Sequence, residues 1–354
     1  MNPYSKWLLS SLITFLILFL CVFSYPLYIS YLVDPLWNFT HDNENNTIQI
    51  GFDERQQKSN YITNRTMDYD GLLIGTSRVT YMNQSGFQRS KVYNYGLSSL
   101  DIQDYNDYIS YAVKQNGKPF DKIYLELYYN SFAPPPEVSS YVLPEVAMDN
   151  AQSTIYRYKS LFSYDTYKKA KENKEYSIAN WYEGYRSYDR SNEVSTNYVN
   201  PNINNLFKDS IPNADTVYPD SEVPYSDQYK ENLETIRNDN PDSKLIPFTD
   251  PMTAVRLKLF LADPNKFEAY QRWFEEMVEV YGQVYSFHSV NEYTIGQEYW
   301  FDTVHFYPNL GEIFVAHLDG RMNDEDILTI VTSENLDTYL TDLKKEIDAY
   351  QPNY

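Results

Sequence analysis

The chain has 354 residues, with 49 aspartates and glutamates against 29 lysines and arginines and a formal net charge of −20. An acidic excess of that size excludes a surface made to hold nucleic acid, which needs clustered cations. The single cysteine, Cys21, excludes an intramolecular disulfide, a cysteine-ligated zinc cluster and a thiol nucleophile in a soluble domain. Four histidines (His41, His288, His305 and His317) leave little for a histidine-rich metal site, so neither a metal nor another cofactor is expected. The length admits one large α/β domain with insertions or two smaller domains. Tyrosine is abundant, at 37 residues; its flat apolar ring and hydroxyl suit a sugar-binding surface, and suit an ordinary packed one as well.

From Trp7 to about Ile29 the chain is almost wholly apolar, matching the ~20 residues that cross a bilayer. A cleaved signal peptide would have a shorter apolar core and small residues at the cut, where this chain has Val22 and Phe23 after Cys21. Leu20 directly before Cys21 also fits poorly with lipoprotein processing. Residues 1–33 are therefore expected to be a retained transmembrane anchor. Lys6 and the α-amine precede it while Asp34, Asp42 and Glu44 come after it, so positive-inside logic puts the remaining chain outside the cytoplasm. Residues 34–66, rich in Asn, Asp and Gln, read as a juxtamembrane stalk leading into a domain over 67–354.

Within that domain, Tyr69 to Gly75 is a short apolar run ended by glycine, which predicts a buried strand stopping at Thr76-Ser77. A second strand is predicted over Lys91 to Tyr95, ending at Gly96. Ser98 or Ser99 is then expected to cap a helix to about Gln115, with Ile102, Tyr105, Ile109 and Val113 on one face. Asp121 to Tyr129 predicts a third strand, ending at Asn130. Residues 131–225 break the rhythm with the run Ala133-Pro134-Pro135-Pro136 and many Tyr and Asn, and read as an insertion or cap over the domain. The scaffold resumes with a helix over Ser226 to Asn238 and a strand over Lys244 to Phe248. Asp263-Pro264 starts a helix whose Phe267, Tyr270, Phe274, Met277 and Tyr281 share a face, and Gln283 to Phe287 is the fifth strand. A last helix, from about Asp324 or Glu334 to Tyr350, carries the stripe Leu336, Leu340, Leu343 and Ile347. Strands alternating with helices predict an α/β fold, a three-layer α/β/α sandwich on a mainly parallel five-stranded sheet, with its ligand site at the carboxyl ends of the strands.

Two short motifs fall there. Ser77 comes after the first strand in Gly75-Thr76-Ser77-Arg78, where a tight turn would expose a nucleophile; Val79 stands where the G-x-S-x-G elbow needs its second glycine. Asp302-Thr303-Val304-His305 comes after the last strand, and in a turn its carboxylate can orient the imidazole that takes a serine proton. Each motif alone has a plain structural reading, a strand-to-loop turn in one case and a capping aspartate beside a surface histidine in the other. Together they converge on one sheet edge. Arg78 is a candidate to hold an anionic substrate group, or else forms a structural salt bridge. His288 and His317 read as packing residues.

The order of these residues resembles the SGNH/GDSL hydrolases, in which a serine follows the first strand, a glycine the second, an asparagine the third, and D-x-x-H closes the domain. Ser77, Gly96, Asn130, Asp302 and His305 stand in that order, over roughly residues 68–130 and 240–318. The resemblance implies a flavodoxin-like sheet and a catalytic triad with Ser77 as nucleophile, His305 as general base and Asp302 as its orienting partner. It also implies an oxyanion hole made by the Ser77 and Gly96 amides and the Asn130 side chain. Thr76 replaces the usual aspartate of the turn, and Asn130 lacks the surrounding G-x-N-D pattern. The G-[ST]-S-R turn and the anchor look like proteins that add or remove acyl groups on cell-surface polysaccharide or teichoic acid, often beside a multi-spanning membrane O-acyltransferase. The expected function is thus an extracytoplasmic serine esterase or O-acyltransferase whose partner is a cell-surface glycan or other acylated polymer. A catalytically inactive, surface-anchored glycan-binding or assembly protein stands as the alternative.

Overall fold

The computed structural model describes residues 2–134, 141–211 and 223–353. The chain divides into two compact units, one comprising Met1–Arg65, Val146–Tyr182 and Arg186–Ser191, the other Thr66–Glu145, Glu183–Tyr185 and Asn192–Tyr354.

The larger unit is built on six strands: β1 (Gly71–Gly75), β2 (Val92–Gly96), β3 (Lys122–Leu127), β4 (Lys244–Thr249), β5 (Gln283–Ser286) and β6 (Thr329–Thr332). Their order is β2-β1-β3-β4-β5-β6; the first five run parallel and β6 is antiparallel to β5. All five strands predicted from sequence are present, so the unit is α/β with a mixed, mostly parallel sheet. The sixth was missed. It is four residues long with only Val331 buried, and it occupies the stretch a helix from Asp324 would have taken; the last helix runs Leu336–Ala349, close to the later of the two expected starts, Glu334. In contrast β1, flanked by β2 and β3, is buried at every residue, which is why Leu72-Leu73-Ile74 reads as one continuous apolar run.

Helix Tyr105–Asn116 lays Tyr105, Tyr108, Ile109 and Ala112 into the core, but its entry is a single 3-10 turn, Ile102–Asp104. The cap there is Asp101, whose carboxylate accepts from the Gln103 amide, rather than Ser98 or Ser99. Helix Pro264–Tyr281 starts as predicted, with Asp263 accepting from the Asn265 and Lys266 amides and Tyr270, Phe274 and Met277 buried.

The smaller unit begins with the 31-residue helix Pro3–Val33, whose most apolar stretch has a mean hydropathy of 2.4 and is not buried in the molecule. Length and composition suffice to cross a membrane. Its carboxyl end, Ile29 and Val33, is buried with Ala170 and Tyr167. The segment 34–66, expected as a stalk, is folded. Gln49–Ile50 pairs antiparallel with Ser187–Tyr188, and Glu54–Asn64 is a helix with Arg55 to Asn60 all buried. Those polar side chains are satisfied internally, Gln57 donating to the Pro35 carbonyl and Asn60 to that of Leu36. Polar composition therefore did not signal exposure here. Part of the expected insertion, including helix Tyr164–Ala179, belongs to this unit. Residues 135–140 and 212–222, with Pro135 and Pro136 of the proline run, lie outside the described residues.

Candidate active site

Strand β1 delivers the turn that carries Ser77. At Gly75 a Cβ would collide with the Glu126 carboxylate and the Val79 side chain, so only glycine lets the chain pass this close to β3. Thr76 donates its amide to Glu126 in a short hydrogen bond, and the Thr80 hydroxyl closes the turn on the Ser77 carbonyl at 2.6 Å. Asn94 on β2 braces the next stretch of chain, donating to the carbonyls of Val79 and Met82 at 2.8 Å each.

The Asp302–His305 loop lies past β5. An isolated bridge between Trp300 and Phe306 pinches it, and the Thr253 hydroxyl, donating to the Thr303 carbonyl at 2.9 Å, holds its tip. Within the loop Asp302 Oδ1 accepts from the amides of Val304 and His305, leaving Oδ2 to face the imidazole. Phe301 lies parallel to that imidazole, 5.6 Å between centroids at 4°, and fixes the ring plane. Ser77 Oγ is 2.8 Å from His305 Nε2, and His305 Nδ1 is 2.8 Å from Asp302 Oδ2, the spacing of a proton relay. Burial pushes the Asp302 carboxyl up, but the His305 hydrogen bond and charge and the two amides outweigh it and hold the group below its ordinary value. A carboxylate there keeps Nδ1 protonated and Nε2 free to accept the serine proton. Residues 228 positions apart in sequence thus meet, as the two motifs predicted.

The expected oxyanion hole fares less well. The Gly96 amide already donates to Asn94 Oδ1 at 2.7 Å, and a Cβ at Gly96 would press on Asn94 and the Thr80 amide, so this glycine serves a close approach. Asn130 is exposed, with φ of 80°, in a turn closed by Ala133 donating to its carbonyl. Its left-handed backbone is the evident reason for asparagine there. Of the three expected donors the Gly96 amide is engaged by Asn94, and the Asn130 side chain sits in an exposed turn; the Ser77 amide makes no hydrogen bond to another group among the described residues.

Arg78 is drawn inward, its Nε 3.1 Å from Glu126 and its Nη1 3.0 Å from Asp250. Its charge is thus balanced by two carboxylates that are 0% and 1% exposed, which makes the salt-bridge reading the right one and removes Arg78 as an anion-binding group. Asp250 also accepts from the Tyr129 amide at 2.7 Å. Burial, opposed by Arg78 and reinforced by Glu126, pushes its carboxyl up to about 7. Below it His288 donates Nε2–H to the Asp250 carbonyl and accepts at Nδ1 from the Tyr270 hydroxyl; burial lowers its pKa to about 3, so it stays neutral and packs. His317, buried, donates to the Ile313 carbonyl within its own helix.

Sequence reasoning missed Glu126 and Asp250. The signal was available for Glu126, a lone charge at the center of the run Ile123 to Tyr129, since a carboxylate in a buried strand must meet a partner. No family model matches the chain, and no curated protein is significantly similar to it.

Proposed function

We propose that the chain is a serine esterase or O-acyltransferase of the SGNH type, anchored by its N-terminal helix with the folded part outside the cytoplasm, and acting on acyl esters of a cell-surface polysaccharide. The observation that carries this reading is the unbroken line Ser77–His305–Asp302, two contacts of 2.8 Å between groups drawn from opposite ends of the chain. The strand order supports the family resemblance, since 2-1-3-4-5 is the order of doubly wound flavodoxin-like sheets and favors a three-layer sandwich with its site at the strand ends.

In this mechanism Ser77 Oγ attacks the ester carbonyl carbon as its proton passes to His305 Nε2, and Asp302 stabilizes the imidazolium. The tetrahedral oxyanion is met by the Ser77 amide. Collapse breaks the ester C–O bond, the departing alkoxide takes the proton from His305, and Ser77 is left acylated. Water or a sugar hydroxyl then gives a proton to His305 and attacks the acyl carbon; the bond from that carbon to Ser77 Oγ breaks, Oγ takes the proton back from His305, and either acid or a new ester is released. A membrane O-acyltransferase is the kind of partner that would supply or receive the acyl group.

One observation favors the alternative, a catalytically inactive glycan-binding or assembly protein: with Gly96 engaged and Asn130 in an exposed turn, oxyanion donors are few, and each is worth roughly 3 kcal/mol in measured cases. Labeling by a fluorophosphonate separates the two. A serine esterase reacts at Ser77 and loses the label in His305→Ala; a folded protein that binds polysaccharide and never labels is the alternative.

A further inference from the structure

Two arginines near the Ser77–His305–Asp302 line stand in opposite circumstances. Arg78 is balanced by Glu126 and Asp250. Arg256, half-buried in the first turn of helix Ala254–Leu261, makes no ion pair and no side-chain hydrogen bond among the described residues; its guanidinium carbon lies 4.9 Å from the center of the Phe260 ring. The start of this helix is tied to the catalytic loop. Thr253 Oγ1 accepts from the Arg256 amide at 3.3 Å and donates to the carbonyl of Thr303, the neighbor of Asp302, at 2.9 Å.

A cation at that place is unfavorable on three counts. It belongs to the first turn of a helix, where the dipole disfavors positive charge, burial strips part of its water, and Arg78 is a second cation nearby. Burial and Arg78 depress the basicity of Arg256, while Asp250 and Asp302 act the other way without reaching ion-pair distance. Packing against one phenylalanine does not require a charge, because a leucine or methionine would do it without these costs.

We infer that Arg256 binds an anionic group of the substrate, a carboxylate or a phosphate, next to the Ser77 nucleophile. The planar guanidinium is suited to both. In a chain of net charge −20 such a group is repelled at long range, and a local unpaired cation is what lets it enter. The inference rests on the acyl-transfer reading above and names the chemistry of the substrate that site takes.

The test uses the full-length protein in detergent. Fluorophosphonate labeling of Ser77 is timed with sodium phosphate, sodium acetate or sodium chloride at matched ionic strength, so that general screening cancels. In the native protein phosphate or acetate should slow labeling several-fold relative to chloride, and which of them does so separates a phosphate-bearing substrate from a carboxylate-bearing one. Protection should vanish in Arg256→Ala and in Arg256→Gln, which keeps the side-chain length, and return in part in Arg256→Lys. Equal protection in the native protein and both neutral variants, or none in the native protein, overturns the inference while leaving the serine site standing. A native protein that never labels removes the acyl-transfer reading itself.

Discussion

Two hydrogen-bonded trios share the turn at residues 76–78 and behave in opposite ways. Ser77–His305–Asp302 opens to solvent, the His305 and Asp302 side chains being 26% and 30% exposed. Glu126–Arg78–Asp250, reached from the next residue along the chain, is nearly sealed, at 0%, 14% and 1%. The open trio has a group that can lose a proton to a neighbor and a face on which a substrate can sit. The sealed trio has compensating charges and little access, and its Glu126 holds the Thr76 amide, next in the chain to Ser77. Neighboring residues in a turn thus join an open and a sealed trio, and under the proposed function the open one carries chemistry and the sealed one support.

The largest expected effect is in the open trio. Ser77→Ala should abolish fluorophosphonate labeling and ester turnover while leaving the urea midpoint within a narrow range of native, since a half-buried hydroxyl is lost and little else. Asp302→Asn should rank next, with turnover reduced by about 10⁴ if the carboxylate acts as in characterized triads, because an amide no longer fixes the Nδ1–H tautomer. Steady-state rates on a chromogenic acetate ester measure both. If Asp302→Asn keeps near-native rates, the open trio is only a brace for its loop and the two trios no longer differ in role.

How these trios appear in sequence differs too. The open one was legible because its parts lie where strands end: Ser77 after a continuous apolar run and Asp302-x-x-His305 after the last parallel strand, positions that topology brings to one edge. The sealed one was legible only in part. Arg78 was seen but its partners were not, because Glu126 lies on β3 and Asp250 just past the end of β4, and their pairing depends on register across β1, β3 and β4. The five parallel strands were readable from their apolar runs, whereas β6, a four-residue edge strand with one buried residue, offered no pattern to read. The polar segment 34–66 misled for a related reason, its amides being satisfied by distant backbone carbonyls that no local spacing records.

In the sealed trio the expected losses are of stability. Glu126→Ala leaves Arg78 facing a single carboxylate and the Thr76 amide without an acceptor, and should cost about 3–5 kcal/mol in urea unfolding of the folded region, the usual penalty for breaking a buried pair. Labeling at Ser77 should slow as well, since the turn is released. Full stability in this variant would show that the buried charges do not support the turn.

The smallest expected effect is a pH slope. Asp250 titrates at about 7 in the folded chain against an ordinary value of 3.8, so between those limits the folded state holds a proton that the unfolded state has lost. The stabilization from that proton is complete below about pH 4 and fades as pH rises through about 7, so this group makes the protein less stable with increasing pH across that window. Asp302 works the other way: held below 3.8, it stabilizes the fold above that value and loses its contribution as acid protonates it. In Asp250→Asn the decline between pH 4 and 7 should flatten while the acid limb due to Asp302 persists. Urea midpoints of native and variant protein at pH 3, 4.5, 6 and 7.5 read both limbs, and parallel curves would mean that Asp250 is ionized throughout, paired with Arg78 as a fixed charge.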